Sequence, residues 1–410
     1  MKRLVLIFSF IFFLFIRLYA QPVLKTGDGP MPNEWIDADT HHKVIKLTRR
    51  EGSNMSFYFH NNPFVGDKMV FYGSDKQNSD NIQKQETYNN NARNKQLYTV
   101  DLETLKIEQL THRPDPMKGE IVSAKMNEVF YQVGDTVFAT NISTKKEKRI
   151  FVFPPDFRGD ITTINADGTL LGGAKSEDAE KKIFKNNPSK GDYFNKIFEA
   201  KLRRTLFTIN VKTKKLDKIF SDTAWLNHVQ FSPTDPHLLM FCHEGPWHKV
   251  DRIWTIDINT KKVTLIHKRT MNMEIAGHEW FAHDGKTIWY DLQLPRGVRF
   301  FVSGTDLATG KEKKYQLQRN EWSVHYTSSP DGKLFAGDGG DPNAVAKAKD
   351  GKWIYLFTPD GDKFKSEKLV NMINHRYKLE PNVHFSPDQK WIIFRANFEG
   401  TENVYAVEII

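Results

Sequence analysis

The sequence predicts an all-β fold, a seven-bladed β-propeller, and three observations carry that prediction. A strand-turn-strand unit recurs along the chain, its turn reading roughly Ser-Pro-Asp-Gly-Lys. Each unit continues with a third strand of the pattern aromatic-x-x-Asp-apolar and a fourth rich in Lys and Thr. Four histidines and one asparagine fall at a single register of this repeat, four residues before the turn's serine position.

The cleanest turn is Ser329-Pro330-Asp331-Gly332-Lys333. Ser386-Pro387-Asp388-Gln389-Lys390, Ser232-Pro233-Thr234-Asp235 and Ala282-His283-Asp284-Gly285-Lys286 are variants. Counting back four residues gives His325, Asn382, His228 and His278, and aligning Gly66-Asp67-Lys68 to the same turn adds His60. Equivalent positions of inner strands point the same way, so these side chains are expected to ring one mouth of the central channel.

Taken in order, the elements begin with a targeting segment over residues 1–20. Lys2 and Arg3 precede the apolar run Leu4 to Ile16, and Tyr19-Ala20 before Gln21 offers a cleavage site. That run is too short for a comfortable membrane span and no other stretch approaches one, so an exported protein, periplasmic or secreted, is expected, with residues 21–410 as a single propeller domain.

Six units follow at about 60–102, 119–154, 160–221, 226–268, 276–317 and 322–370. The seventh, 382–410, supplies only three strands, while His42 to Thr48 reads as an outer strand without a blade. Joining the two closes the ring and removes an exposed sheet edge. Two insertions interrupt the repeat. Gln77 to Lys95 is polar and rich in Asn and Gln; Lys175 to Lys201 mixes charges with Phe184, Tyr193, Phe194 and Phe198 and reads either as a lid over a mouth or as a solvated loop.

A single cysteine, Cys242, excludes an internal disulfide and reads as a small buried strand residue. Stability must come from a core, and 13% aromatic residues in 410 are enough to build a large one. The formal charge is +9; residues 1–20 hold three of those charges and no acid, leaving +6. That excess suits a polyanionic ligand. It does not indicate nucleic acid, since no Lys/Arg stripe or nucleic-acid-binding motif accompanies it.

One histidine alone would read as structural or solvated. Four at one register point to a site that binds metal, moves protons or holds an anion. With the Ser-Pro-Asp-Gly turns at the bottom, the opposite mouth also collects the ends of second strands and the starts of third strands. His243 should therefore sit beside His228, and Arg203, Arg204 and Arg252 should approach the same face. Strand-end arginines more often pair with nearby carboxylates or solvent.

The segments His228-Val229-Gln230-Phe231-Ser232-Pro233, Phe241-Cys242-His243-Glu244-Gly245-Pro246-Trp247, Asp251-Arg252-Ile253-Trp254 and Gly277-His278-Glu279-Trp280 resemble the oligogalacturonate lyases. Members of that family are seven-bladed propellers that cleave pectin fragments. The resemblance implies a histidine acting as Brønsted base, an arginine assisting at the acidic substrate, and a divalent metal such as manganese held by histidines and a glutamine. On this basis His228 and His243 are the two candidates for the base and Arg203 or Arg204 for the assisting arginine. His60, Arg252 and His248 are expected to bind substrate.

His278 matches a metal-ligand histidine of the family. Members carry a His-x-His pair before the last turn with a glutamine upstream, whereas this chain reads Glu380-Pro381-Asn382-Val383-His384. Glu380 and Asn382 could still offer oxygen, with His325 joining from the neighbouring blade, a mixed set that suits manganese, zinc or calcium in that order.

The chemistry fits these residues independently. β-Elimination removes the proton α to a carboxylate, which needs a base and neutralisation of the enolate charge. Glycoside hydrolysis would need paired carboxylates instead. The leading expectation is an exported polysaccharide lyase acting on an acidic oligosaccharide, probable substrates being oligogalacturonides. Two others stay open: a lyase on a glucuronate-containing glycan, and a non-catalytic binding propeller like those of the periplasmic Tol system.

Overall fold

The computed structural model describes residues 21–75 and 95–409. The targeting segment expected at 1–20, and all of the first insertion except Lys95, lie outside the described residues. The remainder is a seven-bladed propeller whose blades are sheets running outward from the channel, antiparallel within each blade except for one outermost pair, Val23–Leu24 on Glu34–Asp37.

Blades 2 to 4 are the plainest. Their strands, inner to outer, are Met117–Ser123, Glu128–Val133, Thr136–Asn141 and Glu147–Val152; Asp160–Ile164, Leu170–Lys175, Arg204–Asn210 and Leu216–Asp222; and Trp225–Phe231, Leu238–Glu244, Ile253–Asp257 and Val263–Leu265. Blade 5 spans Ile275 to Leu317 and blade 6 Tyr326 to Asn371, joined at their rims by one parallel bridge between Gln316 and Lys363. Blade 1 runs from Ser53 to Gln109, and its inner strand is broken into Ser53–Met55 and Phe64–Val65.

Repeated turn chemistry explains the regular spacing. At the end of third strands, Asp101, Asn141, Asn210 and Asp257 each accept two backbone N–H groups from the residues two and three ahead. The chain then passes through a left-handed residue at Leu105, Lys145, Lys214 and Lys261. In the Ser-Pro-Asp-Gly turns, the Ser329 and Ser386 hydroxyls donate to Asp331 and Asp388 and accept the N–H of Leu334 and Trp391.

Closure takes the expected route and goes further. Val44, Ile45 and Lys46 pair antiparallel with Val407, Ala406 and Tyr405, making the strand Lys43–Lys46 the fourth of blade 7. Two strands that the sequence pattern did not reveal, Glu34–Asp37 and Val23–Leu24, extend the sheet to six. Hydrophobic clusters fill the junctions between neighbouring blades: one apiece for 1/2, 2/3, 3/4, 4/5, 5/6, 6/7 and 7/1. Among the described residues no helix is long and apolar enough to cross a membrane.

The Lys175 to Lys201 insertion folds as a helical hairpin, α1 (Asp178–Asn186) and α2 (Lys190–Ala200), set at the mouth where the second strand of blade 3 hands over to the third. Tyr193 and Ile197 of α2 pack on Trp225 at the start of blade 4, with Phe194 5.2 Å from the Trp225 ring centre. Of the two expectations for this segment, the packed hairpin excludes a simple solvated loop and is consistent with a lid.

Trp35 tests how much the N-terminal strands contribute. It is fully buried between blades 6 and 7, edge-on to Phe398 and Tyr405, and its indole N–H donates to Thr26. Trp35→Ala should destabilise the fold by about 3–5 kcal/mol. Denaturant unfolding of the purified protein reads this out, and a change near zero would mean that closure does not depend on this strand.

Candidate active site and metal centre

In blades 4, 5 and 7 the shared register is a left-handed bulge position, whereas His325 of blade 6 continues a regular ladder. His228 and His278 both adopt φ 47° and Asn382 φ 52°, and the inner-strand ladder skips between Asn227 and Gln230 in blade 4 and between Gly277 and Trp280 in blade 5. A left-handed residue at a bulge leaves the ladder and re-aims its side chain, at a strain that sites tolerate when their surroundings fix it. His60 reaches the same place differently. The chain between the two halves of blade 1's inner strand leaves the sheet and carries Tyr58, Phe59 and His60 onto the imidazoles of blades 4 to 6.

The histidines expected to share a mouth do meet. Ring centres are 6.1 Å apart for His60 and His228 and 4.7 Å for His278 and His325, with Phe59 stacked on His325 at 4.7 Å. Burial, helped by His228 and His325, pushes the His60 imidazole well below its usual range.

Two of these rings are backed by carboxylates. Nδ1 of His278 lies 3.1 Å from Asp291 and Nδ1 of His325 lies 2.9 Å from Asp338. Both aspartates are buried. A carboxylate accepts only, so in each neutral ring Nδ1 carries the proton and Nε2 presents a lone pair. Nε2 of His325 sits 3.2 Å from the Tyr58 hydroxyl and 3.7 Å from the Glu380 carboxylate. Burial raises the Glu380 pKa, but His325, His278, Arg395 and Lys190 more than offset this and hold it below the usual carboxylate value. Imidazole oriented through Nδ1 by a carboxylate, with a second acid at hand, is the donor set of a divalent-cation site.

Asn382 is corrected from ligand to organiser. It is fully buried, its Oδ1 accepts the Phe59 N–H at 2.9 Å, and its Nδ2 donates to the Glu380 carbonyl at 2.9 Å. Its own N–H donates to Asp338 at 3.1 Å. One amide thus fixes the Tyr58 segment, Glu380 and the carboxylate behind His325.

On blade 4 the structure separates the two base candidates. Successive residues of a strand face opposite ways, so Cys242 and Glu244 turn toward blade 5 while His243 turns toward blade 3. His228 joins the first group, with Nε2 3.5 Å from Glu244. His243 therefore does not sit beside it. Instead its ring stacks on Trp254 with centres 4.8 Å apart, its buried Nε2 has no hydrogen-bond partner among the described residues, and burial depresses its pKa.

His228, Cys242 and Glu244 also bring possible ligand atoms within 4.8 Å of one another. There the positive charge is already supplied by Arg252. That guanidinium is buried, donating to Glu244 at 2.7 Å and Glu279 at 3.0 Å and lying over Trp247. Arg252 is thus the counter-ion of two buried glutamates, and its Nη2 is buried without a hydrogen-bond partner among the described residues. The Cys242 thiol is pushed far up by burial, as befits a packing residue.

The other candidates diverge as well. Arg204 is buried in an ion pair with Glu180 of α1, and its Nη1 donates to the Leu226 carbonyl at 3.0 Å. Leu226 pairs directly with His243 across the ladder, which brings Arg204 to the His243 side. Arg203 is exposed. His248 lies on a short 3-10 turn, Trp247–Lys249, outside the imidazole cluster and among Lys249, Arg269 and Arg296.

Sequence reasoning missed Asp291, Asp338, Tyr58 and Glu180. The two aspartates did leave a signal: each follows its histidine by 13 residues. The motif glycines have local reasons. A Cβ on Gly277 would lie 2.4 Å from the Trp247 ring, and one on Gly245, at φ 146°, would lie 2.4 Å from Phe198 of α2.

Removing the Arg252 charge should strand both glutamates. Arg252→Met is expected to cost about 3–5 kcal/mol of stability, measured by thermal or denaturant unfolding; a variant of native stability would mean that the two glutamates do not depend on this guanidinium.

Comparison with known proteins agrees with this architecture. Among curated relatives, an oligogalacturonide lyase of Pectobacterium atrosepticum is 25% identical over 336 residues, which cover 76% of this chain and 82% of the relative. A solved oligogalacturonate lyase in complex with manganese superposes with a TM-score of 0.76 at 22% identity, covering 92% of this chain and 96% of that one. The enzyme from Vibrio parahaemolyticus gives 0.75 at 23% identity with the same coverage. A family model described as oligogalacturonate lyase matches residues 33–410, nearly the whole described propeller, and the chain belongs to that family.

Proposed function

We propose that this protein is an exported carbon-oxygen lyase that cleaves short oligogalacturonides by β-elimination, with a histidine base and a divalent cation, manganese by preference. The observation that carries this reading is the pair of carboxylate-backed imidazoles, His278 and His325, beside Glu380.

The residues present fit a cation. His278 and His325 would hold it through Nε2, with Glu380 supplying charge. When bound, such an ion neutralises a carboxylate as a Lewis acid. The rest is done by the chain. His243 is the better base, because its Nε2 is unspent and burial favours the neutral ring, whereas Nε2 of His228 is directed at Glu244. Arg204, joined to His243 through Leu226, binds the carboxylate whose α-proton is removed and stabilises the enolate. Export rests on the apolar run Leu4 to Ile16 behind Lys2 and Arg3.

Digalacturonate and trigalacturonate incubated with the mature protein should yield unsaturated products, followed by their ultraviolet absorbance; absence of such products with or without manganese sinks the assignment. His243→Ala should lose about two to four orders of magnitude in turnover. His228→Ala should lose less, and the reverse ranking would make His228 the base. A base with a depressed pKa stays neutral to lower pH, so the acid limb of kcat/KM should fall below about 6.5, the ordinary imidazole value.

The cation has its own test. Asp338→Asn should weaken manganese binding about 10–100-fold, measured by direct titration of the metal; unchanged affinity would remove His325 from the ligand set.

A further inference from the structure

Arg204 already holds a carboxylate, and that carboxylate belongs to the lid. The pair between Arg204 and Glu180 is buried on both sides, yet Glu180 leaves its second oxygen, Oε2, buried with no hydrogen-bond partner among the described residues. A half-satisfied buried carboxylate carries a desolvation cost that a better-bonded anion would relieve. Burial pushes the Glu180 pKa up and the Arg204 pKa down, which marks a pair held against its solvation.

The two lid helices are held very differently. α2 buries Tyr193 and Ile197 on Trp225, has Ser189 accepting the Asp192 N–H at its start, and inserts Phe198 against Gly245. In α1, by contrast, the one buried residue is Glu180 itself. Its other holds include Phe184, 4.6 Å from the Tyr193 ring centre, the edge of Ile183, and the cap residue Asn187, which accepts from Lys196 of α2. Its N-cap, Glu177, makes no side-chain capping bond. A cleft of about 450 Å³ lined by Lys118, Arg158, Asp160, Ser176 and Lys181 opens beside its start. Among the described residues, one ion pair, Glu180 with Arg204, ties this helix to the blades.

We propose that Glu180 is a stand-in for the substrate's carboxylate: an incoming uronate takes its place on Arg204 and releases α1, while α2 stays fixed, so that lid opening is coupled to the charge that defines the substrate. A neutral sugar cannot make the exchange and meets a closed lid. This rests on the reading of Arg204 as the residue that binds the uronate carboxylate.

Hydrogen-deuterium exchange on the native full chain tests it without a variant, using D-galacturonate, which has no glycosidic bond to cleave, and its methyl ester as the neutral control. Exchange over residues 178–186 should rise with the acid and not with the ester, while 190–200 stays unchanged. Glu180→Gln should show fast exchange in α1 without ligand and bind D-galacturonate about tenfold tighter, a change of about one decade in Kd.

Arg204→Gln separates the two levels. If that variant keeps the native preference for acid over ester, Arg204 is not the carboxylate site and the reading beneath falls. If the preference is lost but α1 exchange is unaltered by acid and Glu180→Gln binds no tighter, Arg204 stands and the stand-in role of Glu180 is overturned.

Discussion

A propeller has a channel only while its ring is closed, and every distance in this site is set by that closure. The ladder of Val44 to Lys46 on Tyr405 to Val407 completes blade 7, and blade 7 in turn holds the root of the segment that enters the mouth. Asn54 donates to Asn403 at 3.0 Å and Arg395 donates to the Ser56 carbonyl at 2.9 Å, three residues and one residue before Phe57, after which the chain carries Tyr58 to the mouth. Loosening that junction would move Tyr58, Phe59 and His60 relative to imidazoles borne on blades 4, 5 and 6. Sheet pairing far from the chemistry is thereby converted into side-chain geometry at the mouth.

Within that frame, what stands behind each imidazole sorts its role. Asp291 and Asp338 fix the proton of His278 and His325 on Nδ1 and leave both Nε2 atoms as lone-pair donors, which suits a cation. His243 has an indole behind it instead, stacked on Trp254 and unpaired at Nε2, which suits a neutral base. The carboxylates that would blur this division are neutralised locally. Burial alone would raise the pKa of Glu244, yet Arg252 and His228 keep it well below the usual range. The same glutamate accepts from the Trp247 indole N–H, and Trp247 packs 5.0 Å from the His278 ring, so the ion pair also positions a wall of the site.

The fold was legible because its signals are local. Asx turns, Ser-Pro-Asp-Gly turns and alternating strands depend on residues within a few positions of one another, and they located six blades and the closing strand. The two extra strands at Glu34 and Val23 were not visible, since strands of two to four residues give no periodicity. In the site, counting four back identified the bulge position in blades 4, 5 and 7, and it placed His60 at the right mouth although the inner strand of blade 1 is interrupted there. What counting could not supply was partnership. The burial of Arg252 and Arg204 depends on Glu279 and Glu180, 27 and 24 positions away, and no spacing rule joins a strand to an insertion. The opposite facing of His243 and Glu244, by contrast, follows from the two-residue period and was open to inference.

The same bulge serves different ends in different blades, and this asymmetry gives the mouth its direction. Blade 2 has Gly119 at this place, with φ 107° and no side chain to present, and blade 3 has the buried Ile161, where its ladder also slips. Blades 4 and 5 present imidazoles, and blade 7 presents an amide that spends its oxygen on Phe59. Blade 2 contributes instead through the residue after Gly119, Glu120, whose carboxylate accepts the Tyr58 N–H at 2.6 Å and the Asn61 side-chain amide at 3.1 Å, and a cleft lined by blades 2 and 3 adjoins the start of α1. A backbone conformation repeated by the fold fixes where side chains can be aimed; residue identity at each repeat decides which of those positions carries chemistry. A ring with the same histidine in all seven blades would crowd cationic or neutral imidazoles around an axis with no place for an acidic sugar. Leaving the bulge positions of blades 2 and 3 without a polar side chain breaks the pseudosymmetry of the scaffold and gathers the imidazoles on blades 4 to 6.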